Sequence, residues 1–252
     1  MKGKSMNRRD FMKFSGVGAV AGLGALTGSA GAERNIPTIR KYGTLGRTGL
    51  KMSDISFGCG YLRTSSLLAR AADMGINYFD TAPDYGKSES LIGKFLKNYD
   101  KRDQIIIVSK FCKPGAYGGH LQADAPEQDY IGSVEGSLKR LNTDYLDVVF
   151  VHAMGEKGRK YEERLFAQNM LNAYEKLKKA GKVRYLAVSS HGPIRMAELL
   201  MKAVKSGYFD IIMPAHNFMK FSTLSKVIEE ARKRGIGVVA MKAMAGAKKM
   251  EL

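Results

Sequence analysis

Four side chains in this sequence are of the types that move a proton at a carbonyl oxygen, and they sit at or just after the ends of apolar runs. Asp80 and Tyr85 lie in Phe79-Asp80-Thr81-Ala82-Pro83-Asp84-Tyr85-Gly86, Lys110 in Val108-Ser109-Lys110-Phe111, and His152 in Phe150-Val151-His152-Ala153. A free tyrosine, with a pKa of about 10, keeps its proton near neutrality. A neighbouring ammonium favours the phenolate and lowers that value. Lys110 carries such a charge, and Asp80 could hold it in place and keep it protonated. His152 could donate a hydrogen bond to the carbonyl oxygen and orient it. Tyr85 would then protonate that oxygen as hydride reaches the carbon. No side chain donates hydride, so this chemistry requires a nicotinamide cofactor.

Taken singly, each residue has a plainer reading. Asp80 could cap a helix, Tyr85 could be half-buried packing, Lys110 could snorkel from a strand end, and His152 could be a satisfied core histidine. What favours chemistry is the pattern of elements that carries them. Seven apolar runs read as strands: Asp54–Cys59, Ile76–Ala82, Ile105–Phe111, Leu146–His152, Val183–Ser189, Ile211–Ala215 and Gly237–Ala243. Helical periodicity fills the gaps, over Leu67–Met74, Glu89–Lys97, Asp129–Arg140, Glu162–Lys179, Met196–Lys205 and Leu224–Arg234. Strand alternating with helix indicates a parallel sheet, and consecutive apolar strand positions indicate burial on both faces. In a parallel barrel, the strand C-termini and the loops after them form the face where chemistry is built. An open doubly wound sheet is the runner-up, but no glycine fingerprint follows the first strand.

The stretch Gly75-Ile76-Asn77-Tyr78-Phe79-Asp80-Thr81-Ala82, continuing to Tyr85-Gly86-Lys87-Ser88-Glu89 and Gly93, resembles the aldo/keto reductase signature. Leu45-Gly46-Arg47-Thr48-Gly49-Leu50-Lys51-Met52-Ser53 resembles that family's opening segment, with Tyr42 to Lys51 as a hairpin across the barrel bottom. The resemblance runs from about Lys41 to about Gly246. It implies an α/β fold, the (β/α)8 TIM barrel of aldo/keto reductase type, binding NADPH in an extended pose without a Rossmann glycine loop. The catalytic tetrad then maps onto Asp80, Tyr85, Lys110 and His152, and the substrate is an aldehyde or ketone. Ser189 and Ser190 fall where the family holds the nicotinamide carboxamide with a Ser-Asn pair. Met213 stands at a common Gln position, Met241 where many relatives carry a stacking Tyr, and Lys242 could meet the pyrophosphate. Ordinary core-packing roles for Met213 and Met241 stay open, since Met fills irregular core gaps. A barrel of this kind takes about 250 residues, and about 220 follow residue 32. The expectation is therefore an incomplete barrel, seven strands present and the eighth missing. A non-catalytic nicotinamide-binding or redox-sensing subunit and an inert fragment remain as alternatives.

Residues 1–32 read as a leader. Asn7-Arg8-Arg9-Asp10-Phe11-Met12-Lys13 is a twin-arginine pattern, a short Gly- and Ala-rich apolar stretch follows, and Ala30-Gly31-Ala32 resembles a cleavage site. The apolar stretch is too short to span a membrane. The expected partner is the twin-arginine export machinery and the expected location the periplasm, where a supply of NADPH is not obvious. The formal charge of +17 raises nucleic acid as a partner. However, the basic residues are scattered over helix faces without interleaved aromatics, so a solvated basic surface is the better reading. The two cysteines, Cys59 and Cys112, lie in no metal-ligand spacing, so no zinc or iron–sulfur site is expected and two unpaired thiols are.

Overall fold

The computed structural model describes residues 38–39, 41–155, 162–192, 195–217 and 224–243. The chain divides into Met1–Ile36 and Pro37–Leu252, and every described residue belongs to the second unit. The leader, with Arg8 and Arg9, lies outside the described residues.

A hairpin comes first. Strands β1 (Tyr42–Thr44) and β2 (Lys51–Ser53) pair antiparallel around a 3-10 turn at Gly46–Thr48. Then strand and helix alternate: β3 (Phe57–Gly58), α1 (Ser66–Asp73), β4 (Tyr78–Asp80), α2 (Ser88–Leu96), β5 (Ile106–Lys110), α3 (Glu127–Leu141) and β6 (Leu146–Met154). The second half holds α4 (Glu162–Leu165), α5 (Gln168–Lys179), β7 (Val183–Ser190), α6 (Met196–Ser206), β8 (Ile211–Pro214), α7 (Ser225–Lys233) and β9 (Gly237–Val238). Strands β3 to β9 form one sheet, all parallel, in strict sequence order. A doubly wound sheet reverses its order at a switch point; this one does not, so it curls as a barrel wall. Among the described residues no strand fills the place between β3 and β9.

Alternation along the strands sorts the core into two layers. Tyr78, Ile106, Val108, Val148, Phe150, Ala187, Ile211, Met213 and Val239 pack inside the curl, together with Leu45 and Leu50 of the hairpin. Phe79, Ile107, Val149, Val151, Leu186, Val188 and Ile212 face the helices. The hairpin thus plugs the strand N-termini, and Arg47 ties it to Asp210 at 3.0 Å.

Two expectations shift. The helix expected over Glu162–Lys179 is broken, because Ala167 takes an extended ψ of 115° before α5; the break turns Arg164 and Leu165 into the interior. The two edge strands are shorter than expected. Among the described residues each has a neighbour on one side only, although Val239 and Met241 still donate backbone hydrogen bonds to Ile212 and Pro214.

Helix α2 meets α3 through Gly93. A Cβ there would lie 2.3 Å from the Arg140 carbonyl oxygen. Gly93→Ala should therefore force the helices apart and cost about 1–3 kcal/mol, lowering Tm by roughly 3–9 °C. An unchanged melt would show that the two helices do not pack this closely.

Candidate active site

The inward parity that builds the inner layer continues to the strand C-termini. Asp80 follows Tyr78, Lys110 follows Val108, and Ser189 follows Ala187, each two residues further on the same face. They reach the wall of a cavity of about 970 Å³ that is also lined by Tyr85, His191, Met213, Met241 and Lys242.

Lys110 is buried at the bottom of this site. Its ammonium donates to Asp80 Oδ1 at 2.6 Å and to the Thr81 carbonyl at 2.7 Å. Burial pulls the Lys110 ammonium down, but the Asp80 charge and hydrogen bond together with Tyr85 and Cys112 outweigh it and hold the group above its ordinary range. The same ammonium lies 5.0 Å from the centre of the Tyr85 ring. Tyr85 Oη is 3.4 Å from His152 Nε2. The structure thus gathers Asp80, Tyr85, Lys110 and His152. One expectation is corrected: Lys110 does pull the Tyr85 phenol down, but burial is stronger, and the phenol is pushed up to about 12. The sequence displays the charge and not the burial. His152 moves the other way: burial, with Lys110 next, holds it well below its usual value, so the imidazole is neutral.

A break in the ladder aims His152. The β6–β7 register shifts between Val151 and Met154, and Ala153 has φ of 56°. Such bulges redirect side chains beside active sites, and a non-glycine residue in this region costs about 1–3 kcal/mol unless its surroundings enforce it. Two contacts do so. Ala153 N donates to Ser189 Oγ at 3.0 Å, and the buried Arg164 guanidinium donates to the His152 carbonyl at 2.9 Å and to the Leu121 carbonyl at 2.9 Å.

The remaining expected residues divide. Ser189, Met213, Met241 and Lys242 line the cavity. Ser190 does not: alternation turns it to the opposite face, where its fully buried hydroxyl donates to the Met154 carbonyl at 2.7 Å. His191, the next inward-parity residue after Ser189, takes its place as the second polar group on that wall. Lys242 has φ of 57°, with its carbonyl accepting from Asn217 Nδ2 at 3.3 Å. A cavity of this size, polar beside Tyr85 and Ser189, apolar at the two methionines and cationic at its rim, fits a nicotinamide nucleotide; ligand pockets run to about 1,000 Å³.

Sequence reasoning missed several residues at the site. The residue types and order give Asp84 no role of its own and do not mark Tyr117, His120, His191 or Arg164 as site residues. Tyr117 stacks on Tyr85 with ring centres 6.3 Å apart and meets the His152 ring edge-on at 5.7 Å. Counting by twos from Ser189 reaches His191, but no local spacing announces the others: the loop after β4 brings in Asp84, the loop after β5 Tyr117 and His120, and the broken helix Arg164. Both cysteines are buried free thiols.

Residues 63–249 match the Aldo/keto reductase family. The chain is 29% identical over 214 residues to L-galactose dehydrogenase of Arabidopsis thaliana, covering 80% of this chain and 64% of that protein. It is 34% identical over 164 residues to the aldo-keto reductase YhdN of Bacillus subtilis, covering 60% and 47% respectively. The chain spans about two thirds or less of the length of these curated relatives. Among solved structures, the holo form of the aldo-keto reductase AKR11C1 from Bacillus halodurans superposes with a TM-score of 0.62 at 26% identity, covering 79% of this chain and 65% of that one. A structure from Pseudomonas aeruginosa gives 0.67 at 30% identity, covering 81% and 79%. Strand order, the inward parity of Asp80 and Lys110, and the match over most of its length agree: this chain belongs to the aldo/keto reductase family.

Proposed function

We propose that the protein reduces an aldehyde or ketone to an alcohol with NADPH, using Tyr85 as the general acid. The observation that carries this reading is the buried Lys110–Asp80 pair beneath the Tyr85 ring, these three lining one cavity, with His152 Nε2 behind them at 3.4 Å from the phenol. NADPH supplies the hydride when bound. A phenol pushed up to about 12 keeps its proton until a strong oxyanion develops beside it. The Lys110 ammonium stabilises the phenolate left behind, and Asp80 holds that ammonium in position. Neutral His152, bearing its proton on Nε2, donates to the substrate oxygen and sets its orientation. Tyr117 and His191 close the site from the side of the His152 ring. Ser189 and His191 face the nicotinamide carboxamide, Met213 and Met241 its apolar surroundings, and Lys242 a phosphate. The preference for NADPH rests on Lys242 and on the basic surface, whose field favours the more anionic nucleotide. The test is nucleotide oxidation by the purified chain with a panel of aromatic and aliphatic aldehydes. Turnover supports the reading; tight nucleotide binding without turnover of any aldehyde would favour a non-catalytic nicotinamide-binding subunit.

We also propose export by the twin-arginine route to the periplasm, supported by the order Asn7-Arg8-Arg9-Asp10-Phe11. This route would let the protein leave with its nucleotide bound. Residues 1–32 fused to a reporter that folds before translocation should carry it across the membrane, and Arg8→Lys with Arg9→Lys should abolish transport while keeping the charge. Continued export of the double-Lys fusion would rule out twin-arginine recognition. Among the described residues no helix is long and apolar enough to cross a membrane.

A further inference from the structure

Behind His152, on the side away from Tyr85, four buried side chains converge. Cys112 Sγ is 3.3 Å from His152 Nδ1. His120 Nε2 is 3.5 Å from Asp84 Oδ2, and His152 Nδ1 is 3.8 Å from Asp84 Oδ1. One ligand-type atom from each of Asp84, Cys112, His120 and His152 lies within 4.8 Å of all the others. Four donors bound tetrahedrally to zinc at about 2.0–2.3 Å lie roughly 3.3–3.6 Å apart. The separations of 3.3, 3.5 and 3.8 Å are already near that spacing, and the widest pair, within 4.8 Å, closes by about an ångström when an ion binds.

The donor set also matches. Two imidazoles, one thiolate and one carboxylate suit zinc among the common divalent cations. Asp84 and Cys112 as anions balance a 2+ ion, leaving a neutral buried group.

The backbone is built around this cluster. Cys112 and His120 face each other across an isolated antiparallel bridge, closed by Lys113 N donating to the Gly119 carbonyl at 2.7 Å. A Cβ on Gly119 would sit 2.6 Å from the Lys113 carbonyl oxygen, so the tight return requires glycine. Gly118 N donates to Asp84 Oδ2 at 3.0 Å and orients the carboxylate, the kind of outer contact that metal ligands use. Ser133 Oγ is bonded to both the Cys112 N–H and its carbonyl. Tyr117 covers the group, its ring 5.4 Å from that of His120.

We propose that Asp84, Cys112, His120 and His152 bind one zinc ion in a closed tetrahedral site directly behind the catalytic histidine. With all four positions filled by protein, the ion does not reach substrate and its role is structural. It has a positioning consequence: zinc on Nδ1 leaves the His152 proton on Nε2, the nitrogen that faces Tyr85 Oη. The proposal goes beyond the reductase reading and is tested without turnover, so either can fail alone.

The test uses the full chain, expressed with zinc, purified under reducing conditions without chelator, and analysed for metal by mass spectrometry. It is then stripped and titrated with Co²⁺. The expected result is one zinc per chain, and after exchange the intense visible bands of tetrahedral cobalt with a near-ultraviolet thiolate charge-transfer band. Cys112→Ser should remove the charge-transfer band, and His120→Gln should weaken Co²⁺ binding by at least about tenfold. Folded wild-type protein that retains below about 0.1 zinc and shows only the weak spectrum of hydrated cobalt overturns the proposal. So do variants that fold and keep both features unchanged. If a variant fails to fold, the wild-type cobalt spectrum decides.

Discussion

Tyr85→Phe is expected to slow carbonyl reduction by about 10²–10⁴-fold, the usual contribution of a positioned general acid. The substitution removes one oxygen and keeps the ring, so the stacking on Tyr117 and the contact with the Lys110 ammonium survive. Nucleotide affinity and Tm should stay at wild-type values, because the phenol oxygen's partner is His152 at a long 3.4 Å. The effect should fall on kcat. If the Phe variant turns over at the wild-type rate, another group delivers the proton and the role given to Tyr85 is wrong.

Lys110→Met should lower the rate by about 10²–10³-fold, as loss of an electrostatic stabiliser does, and should also destabilise the fold. Asp80 would be left with neither oxygen paired, since its Oδ2 is already buried without a protein partner. Breaking a buried pair from one side costs about 3–5 kcal/mol. Asp80 opens onto the cavity, so the lower end applies. The two effects separate in a double variant. Adding Asp80→Asn to Lys110→Met removes the orphaned charge and should recover part of the stability, while activity stays low. Denaturant unfolding and steady-state kinetics on the same three proteins check this. A double variant as unstable as Lys110→Met would mean that the pair is not coupled through its charges.

Much of this arrangement can be read from residue order alone. The alternation of apolar runs with helical periodicity places seven parallel strands in the order observed, because parallel strands need crossovers and the crossovers are visible as helices. Counting by twos along each strand puts Asp80, Lys110, Ser189 and Met213 on the inner face. The same count excludes Ser190, whose neighbour on the chain already faces the cavity; here the expectation followed the family's residue pair and not the pleat. Three features were hidden for a common reason, which is that each depends on contacts between distant segments. The break before Ala167 lets Arg164 reach carbonyls on Leu121 and His152. The direction of the Tyr85 shift depends on how deeply the ring is buried. The convergence of Asp84, Cys112, His120 and His152 joins the loops after β4 and β5 to strand β6, so no spacing along the chain discloses it.

The central claim is that this site moves a hydride to a carbonyl carbon and a proton from Tyr85 to its oxygen. The most direct measurement is transfer from NADPH deuterated at the nicotinamide C4 position to an aromatic aldehyde, with the product alcohol analysed by mass spectrometry. The account predicts an alcohol carrying deuterium on the former carbonyl carbon, formed by the wild-type chain and suppressed by Tyr85→Phe. Folded protein that binds the nucleotide but yields no labelled alcohol above the enzyme-free control would contradict it.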